Sequence, residues 1–186
     1  MRSLIIVLVI GMIFMLVEAI LIAGEFIVER LMIPCVAISG TDSHVAIPRY
    51  HLVTSGKVWE HIWQEHKGKI AAEDYDLYED SLTLPVIDFD CYMVIAIFQG
   101  EGWNSKGLRI DSICEDDKSI IFRYDDKSYQ TVGKGNKVNA YGFFILPRST
   151  KRIIVEENVQ RYGGEAPVWK KCPMILGLRA IDQGDN

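Results

Sequence analysis

The usual catalytic and metal-binding signatures are missing from this 186-residue chain. There is no Gly-x-Ser-x-Gly, no His-Glu-x-x-His and no P-loop, which removes the commonest hydrolase, zinc-protease and nucleotide readings. Cysteine is sparse: Cys35, Cys91, Cys114 and Cys172 are all there is, and none sits in a Cys-x-x-Cys pair. Zinc-ribbon and thioredoxin-like chemistry therefore lack their spacing. Histidine is as scarce, with His44, His51, His61 and His66. His61 and Glu65 share a helix face at i, i+4, but no third ligand follows at a suitable spacing, so no metal is implied. Positive charge is short as well. Lys+Arg 20 against Asp+Glu 25 gives a net −5, which argues against a generic phosphate-backbone binder and hence against a nucleic-acid partner. Disorder is excluded from the other side, because 49% of the residues are hydrophobic.

The remaining polar constellations read as structure. Asp88 and Asp90 share one face of a strand entry, and solvated entry residues are the simpler reading than an acid/base dyad. The acidic stretch from Glu73 to Asp80 has no EF-hand glycine or closing glutamate, so it implies no calcium. Gly100 to Gly107 lacks the Gly-x-Gly-x-x-Gly spacing and the strand-to-helix context of a dinucleotide loop. No cofactor is implied anywhere in the chain.

What the sequence has in abundance is at its N-terminus. Leu4 to Val17 is apolar and uncharged, and after Glu18 the run resumes to Ala23. Twenty residues of helix span roughly 30 Å, the thickness of a bilayer core. Arg2 lies before the run, and Glu25, Glu29 and Arg30 lie after it. The positive-inside rule then keeps the N-terminus in the cytoplasm and exports the remainder. Residues 1–24 are thus expected to be a signal anchor, making a single-pass cell-membrane protein with an extracytoplasmic domain. Cleavage after Ala19, giving a secreted protein, is the alternative.

Residues 25–48 read as a juxtamembrane connector, 49–178 as the folded domain and 179–186 as a frayed tail. Tyr50 to Thr54 is a short strand. Ser55 is placed to cap a helix on which Val58, Trp59, Ile62, Trp63 and His66 recur at helical spacing, and Gly68 can end it. The two tryptophans should bury against a sheet. Met93 to Phe98 is an apolar run suited to a central strand covered on both faces. The segments 108–113 and 119–124 continue it as a meander, with a tight turn at 116–118. Asn139 to Leu146 and Lys151 to Glu156 are further strands, and Val168 to Leu178 packs back on the core. The meander would bring Cys91 opposite Cys114. Since the exported side permits disulfides, Cys91–Cys114 and Cys35–Cys172 are the candidate bridges.

The order of these elements resembles the C-terminal domain family of the protease-complex subunit PrcB. Thr54 to His66 match its "Thr-Ser-x-x-x-Trp-x-x-x-Trp-x-x-His". Ile87 to Gly100 match "Val-Asp-Phe-Asp…Met-Val-x-x-x-Phe-x-Gly". Ser105 to Ile110 stand where the family has "Thr-Gly-Gly-Tyr-x-Ile", with Lys106 and Leu108 as departures. Ala140 to Pro147 correspond to "Pro-Tyr-x-x-x-x-x-Pro". The resemblance covers residues 50–157 and implies an extracytoplasmic accessory domain without catalytic residues, with a secreted protease as its partner.

The fold class expected is α+β: a mostly antiparallel sheet with one packed amphipathic helix, preceded by an N-terminal transmembrane helix. The function expected is a non-enzymatic interaction module. Its contact residues are sought in two segments, Trp103, Asn104 and Lys106 in the glycine-bounded loop, and Tyr75 and Tyr78 in the acidic one. A domain binding a small ligand or glycan around Trp103 is the alternative. A concave aromatic pocket there would favour it, and a flat surface would favour a protein partner.

Overall fold

The computed structural model describes residues 33–68, 84–160 and 166–176. The predicted membrane segment 1–24, the contact candidates Tyr75 and Tyr78, and the tail 179–186 lie outside the described residues. Nine strands and one helix are described, in the order β1 Val36–Gly40, β2 Arg49–Val53, α1 Gly56–Lys67, β3 Tyr92–Trp103, β4 Ser105–Glu115, β5 Ser119–Ser128, β6 Lys137–Pro147, β7 Arg152–Asn158, β8 Trp169–Lys171 and β9 Ile175–Leu176. They form two sheets. Sheet A runs β1-β6-β3-β2-β9 and sheet B runs β4-β5-β7-β8. Pairing is mostly antiparallel, as the sequence suggests, but β5–β7 and β2–β9 are parallel.

Sheet A is the middle of three layers. Alternate residues of β3 point to opposite faces. Met93, Ile95 and Ile97 pack with Leu108, Phe122, Tyr124 and Val155 of sheet B. Val94, Ala96 and Phe98 pack with Trp59, Ile62 and Trp63 of α1. Every residue from Met93 to Phe98 is fully buried, which is why that stretch is continuously apolar rather than alternating. The helix presents the face read from its periodicity: Trp59, Ile62, Trp63 and His66 are its buried residues. Trp59 meets Phe143 edge-on at 5.0 Å and donates its indole N–H to the Pro85 carbonyl at 2.9 Å. Ser55 occupies the N-cap position with extended backbone, although its hydroxyl makes no capping bond. Gly68 ends the helix at φ 77.

Three expectations fail, each for a local reason. The connector is not all connector: β1 pairs along its length with β6, from Val36 opposite Ile145 to Gly40 opposite Tyr141. A five-residue edge strand beside turn residues leaves too short a pattern to read. The glycine-bounded segment is not a loop. β3 runs on to Trp103, the chain turns at Asn104 in the left-handed region at φ 53, and β4 begins at Ser105. That corner sends β4 into sheet B, where it pairs with β5, while β3 pairs with β2 and β6. The three-strand meander is therefore only a two-strand hairpin.

The corner also decides the cysteines. The β3–β4 register that placed Cys91 opposite Cys114 does not exist, because the two strands belong to different sheets. Cys114 instead lies opposite Ile121. All four cysteines are thiols, with no disulfide. Cys35 and Cys172 each pack against the core between the sheets, and burial pushes the Cys35 thiol up to about 11.

Gly107 locks the start of β4. Its φ is +93, and a Cβ there would stand 2.6 Å from Ser39 Oγ and 3.1 Å from the Gly40 backbone. The Ser39 hydroxyl accepts the Leu108 N–H at 2.7 Å and meets the Leu108 carbonyl at 2.8 Å. Edge strand β1 is thus fastened to sheet B through one serine, and only glycine permits that approach.

Candidate functional site

The structure brings three of the five predicted contact residues together at the β3–β4 corner. Trp103 is the last residue of β3, opposite Lys137, and is 57% exposed. An indole this exposed has little packing reason to be there. Asn104 next to it is fully employed in structure. Its amide donates to the Asn136 carbonyl at 2.9 Å, and its carbonyl accepts from the Tyr129 N–H at 2.8 Å. Its side-chain oxygen accepts from the Asn136 N–H at 2.8 Å. The Lys106 ammonium stands 5.4 Å over the Tyr129 ring. The corner is therefore a stitched platform that holds Trp103 outward, with Asn104 bonded into its frame.

Lys134 and Lys137 flank Trp103, and Lys137 is paired with Glu101 at 2.8 Å. Val132, on the adjoining turn, is completely exposed. Trp103, Lys134, Gly135, Asn136 and Lys137 line an open depression of about 530 Å³. Among the described residues Trp103 is its sole aromatic wall, and these residues form an open depression rather than a concave aromatic pocket. An indole flanked by ammonium groups instead suits an apolar side chain accompanied by carboxylates.

A second concavity lies between α1 and the segment entering β2. It measures about 760 Å³, within the range of ordinary ligand pockets. Val45, Ala46 and Ile47 form one wall, and Arg49, His61 and Glu65 the other. Arg49 grips both Glu65 oxygens, at 2.9 and 3.2 Å. His61 Nε2 is 4.0 Å from Glu65 Oε2. The i, i+4 pair noted in the sequence is thus real, but its carboxylate is already engaged. Among the described residues no group of three or more metal-ligating side chains comes together.

The groups that could do chemistry are tied into structure. Asp88 Oδ1 accepts the Asp90 N–H at 3.0 Å, and these bonds hold its carboxyl below the usual range. It forms the turn that starts β3 and no dyad with Asp90. Between the sheets, Gln99 donates to the Tyr124 hydroxyl and to Glu157, both at 3.1 Å. The Tyr124 hydroxyl lies 3.9 Å from Cys172 Sγ. Burial raises Cys172 and lifts Tyr50 to about 12. A thiol held protonated in this way is a poor nucleophile.

Two of the four histidines lie inside the fold. His66 is 1% exposed and His51 3%. His51 alternates with Val53 on β2, so both point at α1, and that period-two signal was available. The family models, the curated proteins and the solved structures offer no match to this chain.

Proposed function

We propose that the chain is a non-enzymatic accessory module, held at the outer face of a membrane by its N-terminal segment, that works by binding a protein. One observation carries this reading: Trp103 projects from a rigid, lysine-rimmed corner into solvent. Exposed tryptophans on preorganised backbone are the residues that dominate protein interfaces. The basic rim selects a partner segment that is acidic around an apolar residue. The resemblance of residues 50–157 to PrcB-type domains makes a secreted protease the first partner to seek. The apolar run Leu4–Ala23 supports the anchor.

The test is crosslinking of the full chain in its native membrane, followed by mass spectrometry of what co-purifies. A reproducible protein partner, captured by the wild type and lost in Trp103→Ala, is expected. Capture that survives Trp103→Ala moves the interface elsewhere. No capture from an intact, anchored protein overturns the accessory reading. The weight then passes to a small-ligand domain, favoured by the cavity beside α1, where binding would change the fluorescence of Trp59 and Trp63.

A further inference from the structure

Buried polar atoms in folded proteins are nearly always hydrogen-bonded, and the exceptions call for an explanation. Here the exceptions share one location. Among the described residues, the buried side-chain nitrogens and oxygens without a hydrogen-bond partner are His51 Nε2, His61 Nε2 and both ring nitrogens of His66. His61 and His66 are on α1. His51 is on the strand beneath it, on the face that carries Val53 into the same core. His51 and His66 therefore leave polar atoms unsatisfied inside one helix–sheet interface, while His61, whose side chain is 37% exposed, faces Glu65 at its margin.

His66 is enclosed by rings. Tyr141 lies 4.1 Å from it, Phe143 5.1 Å and Trp63 5.3 Å between centroids. A neutral imidazole is tolerated there much as another aromatic would be, but an imidazolium would have two N–H donors and no acceptor. The charged and titratable groups around it are Lys67 on α1, Asp42 and His44 on the preceding segment, and Tyr141 on β6. Among the described residues Asp42 is the single opposing charge, and it also bonds the Tyr141 hydroxyl. β3 contributes only Phe98. Around His51 stand Arg49 on β2, and Glu65 and His61 on α1. The neighbours across the sheet, Ala96 and Ile175, carry no charge. Glu65 would be the compensating anion, but Arg49 already holds both of its oxygens.

The opposite face of sheet A differs. The core between the sheets contains no histidine. Acidification therefore creates buried imidazolium on the helical side of sheet A and none between the sheets.

We propose that α1 is an acid-releasable layer: protonation of His66 and His51 detaches the helix from sheet A while the two sheets stay packed together. Release uncovers the apolar face made by Val94, Ala96, Phe98 and Phe143 and exposes Trp59 and Trp63. Burial of His66 pushes it down to about 4, so the helix is held at neutral pH and loosens as pH falls from about 6.5 toward 4.

The test is hydrogen exchange by mass spectrometry on the full chain in detergent micelles, between pH 7.5 and 4.5, corrected for the intrinsic pH dependence of exchange. Protection of α1 amides is expected to fall at least tenfold relative to β3 and β6 across that range, with a red shift of tryptophan emission. His66→Phe, which keeps a ring in the cage, is expected to hold α1 protection at pH 5. An α1-to-β3 protection ratio that stays constant, whether both persist or both collapse, overturns the proposal. Should His66→Phe not fold, the wild-type ratio alone decides the matter.

Discussion

The two faces of sheet A are built to the same depth from different materials. Toward sheet B, β3 and β6 present Met93, Ile95, Ile97, Phe144 and Leu146, all fully buried. The polar groups at the margin of that interface bond one another, as Gln99, Tyr124 and Glu157 do. Toward α1 the same two strands present Val94, Ala96, Phe98 and Phe143, equally buried, yet the cover is one 12-residue helix that carries a histidine into an aromatic cage, flanked by Val45 and by Leu84, Ile87 and Phe89 of irregular segments. One sheet-wide strand cover and one short helix are not equivalent lids. A helix of this length is marginal by itself, and its stability comes from its packed face. The difference predicts a molecule whose sheet sandwich outlasts its helical layer.

The sharpest way to break that comparison is to cut each face by one aromatic. Phe144 packs against Phe122 with ring centroids 4.8 Å apart and is completely buried. Phe144→Ala should destabilise the domain by about 3–5 kcal/mol, and by the same amount at pH 7 and pH 5 in denaturant titrations. Trp59→Ala or Trp63→Ala on the helical face should cost a similar 3–5 kcal/mol at pH 7. A loss below about 1 kcal/mol for either tryptophan would contradict its core position. At pH 5 the loss from Trp59→Ala should shrink, because part of what the indole stabilises has already loosened.

The next effect is the pH dependence itself. His66 is lowered by burial first, with Lys67 adding repulsion and Asp42 opposing. A base with a depressed folded value is protonated first in the unfolded chain. Its neutral form therefore stabilises the fold above about 6.5, and this contribution is lost as pH falls toward about 4, a change of about 3 kcal/mol. The His66 ring lies near the C-terminus of α1, where a cation gains only about 0.3–1 kcal/mol from the helix dipole. Desolvation wins that contest. Urea midpoints measured at pH 7 and pH 4.5 should fall, and fall less in His66→Phe.

Smaller again is the corner that joins the sheets. Gly107→Ala must place a Cβ at a positive φ and against Ser39 Oγ. It should cost about 1–3 kcal/mol, seen as a lower melting temperature with faster exchange in β1 and at the start of β4. An unchanged melting temperature would mean that β1 is not fastened through Ser39.

The parts of this architecture legible in the sequence are those set by local period. The α1 face, the buried run of β3 and the strands around β5, β6 and β7 each follow from side-chain spacing alone. Sheet membership does not. Whether β4 continues sheet A or leaves for sheet B turns on one backbone conformation, Asn104 at φ 53. A glycine-rich stretch reads the same either way. Cys91 and Cys114 fell with that pairing. Trp103 was legible as a contact candidate, since an aromatic among glycine, asparagine and lysine lies on no periodic face, but its exposure was not, because an indole folded back on the sheet reads the same. The orphaned nitrogens of His51 and His66 were not, because a histidine on an apolar face reveals its partners only when the opposing layer is in place.

The smallest stability effect belongs to the residue given the largest functional one. Trp103 makes no core contact, and its backbone pairing with Lys137 survives truncation of the indole. Trp103→Ala should therefore shift stability by no more than about 0.5 kcal/mol. Against Phe144→Ala this is a contrast of roughly six- to tenfold or more between two aromatics on adjacent strands, one inside the sheet sandwich and one beyond its edge. Crosslinked partner recovery should move the other way, lost in Trp103→Ala and diminished when Lys134 and Lys137 are both replaced by glutamate. Charge reversal that leaves recovery intact would separate the indole from its basic rim and exclude an acidic partner segment. A drop in stability above about 2 kcal/mol for Trp103→Ala would instead assign the indole to the frame of the corner and remove it from the contact surface.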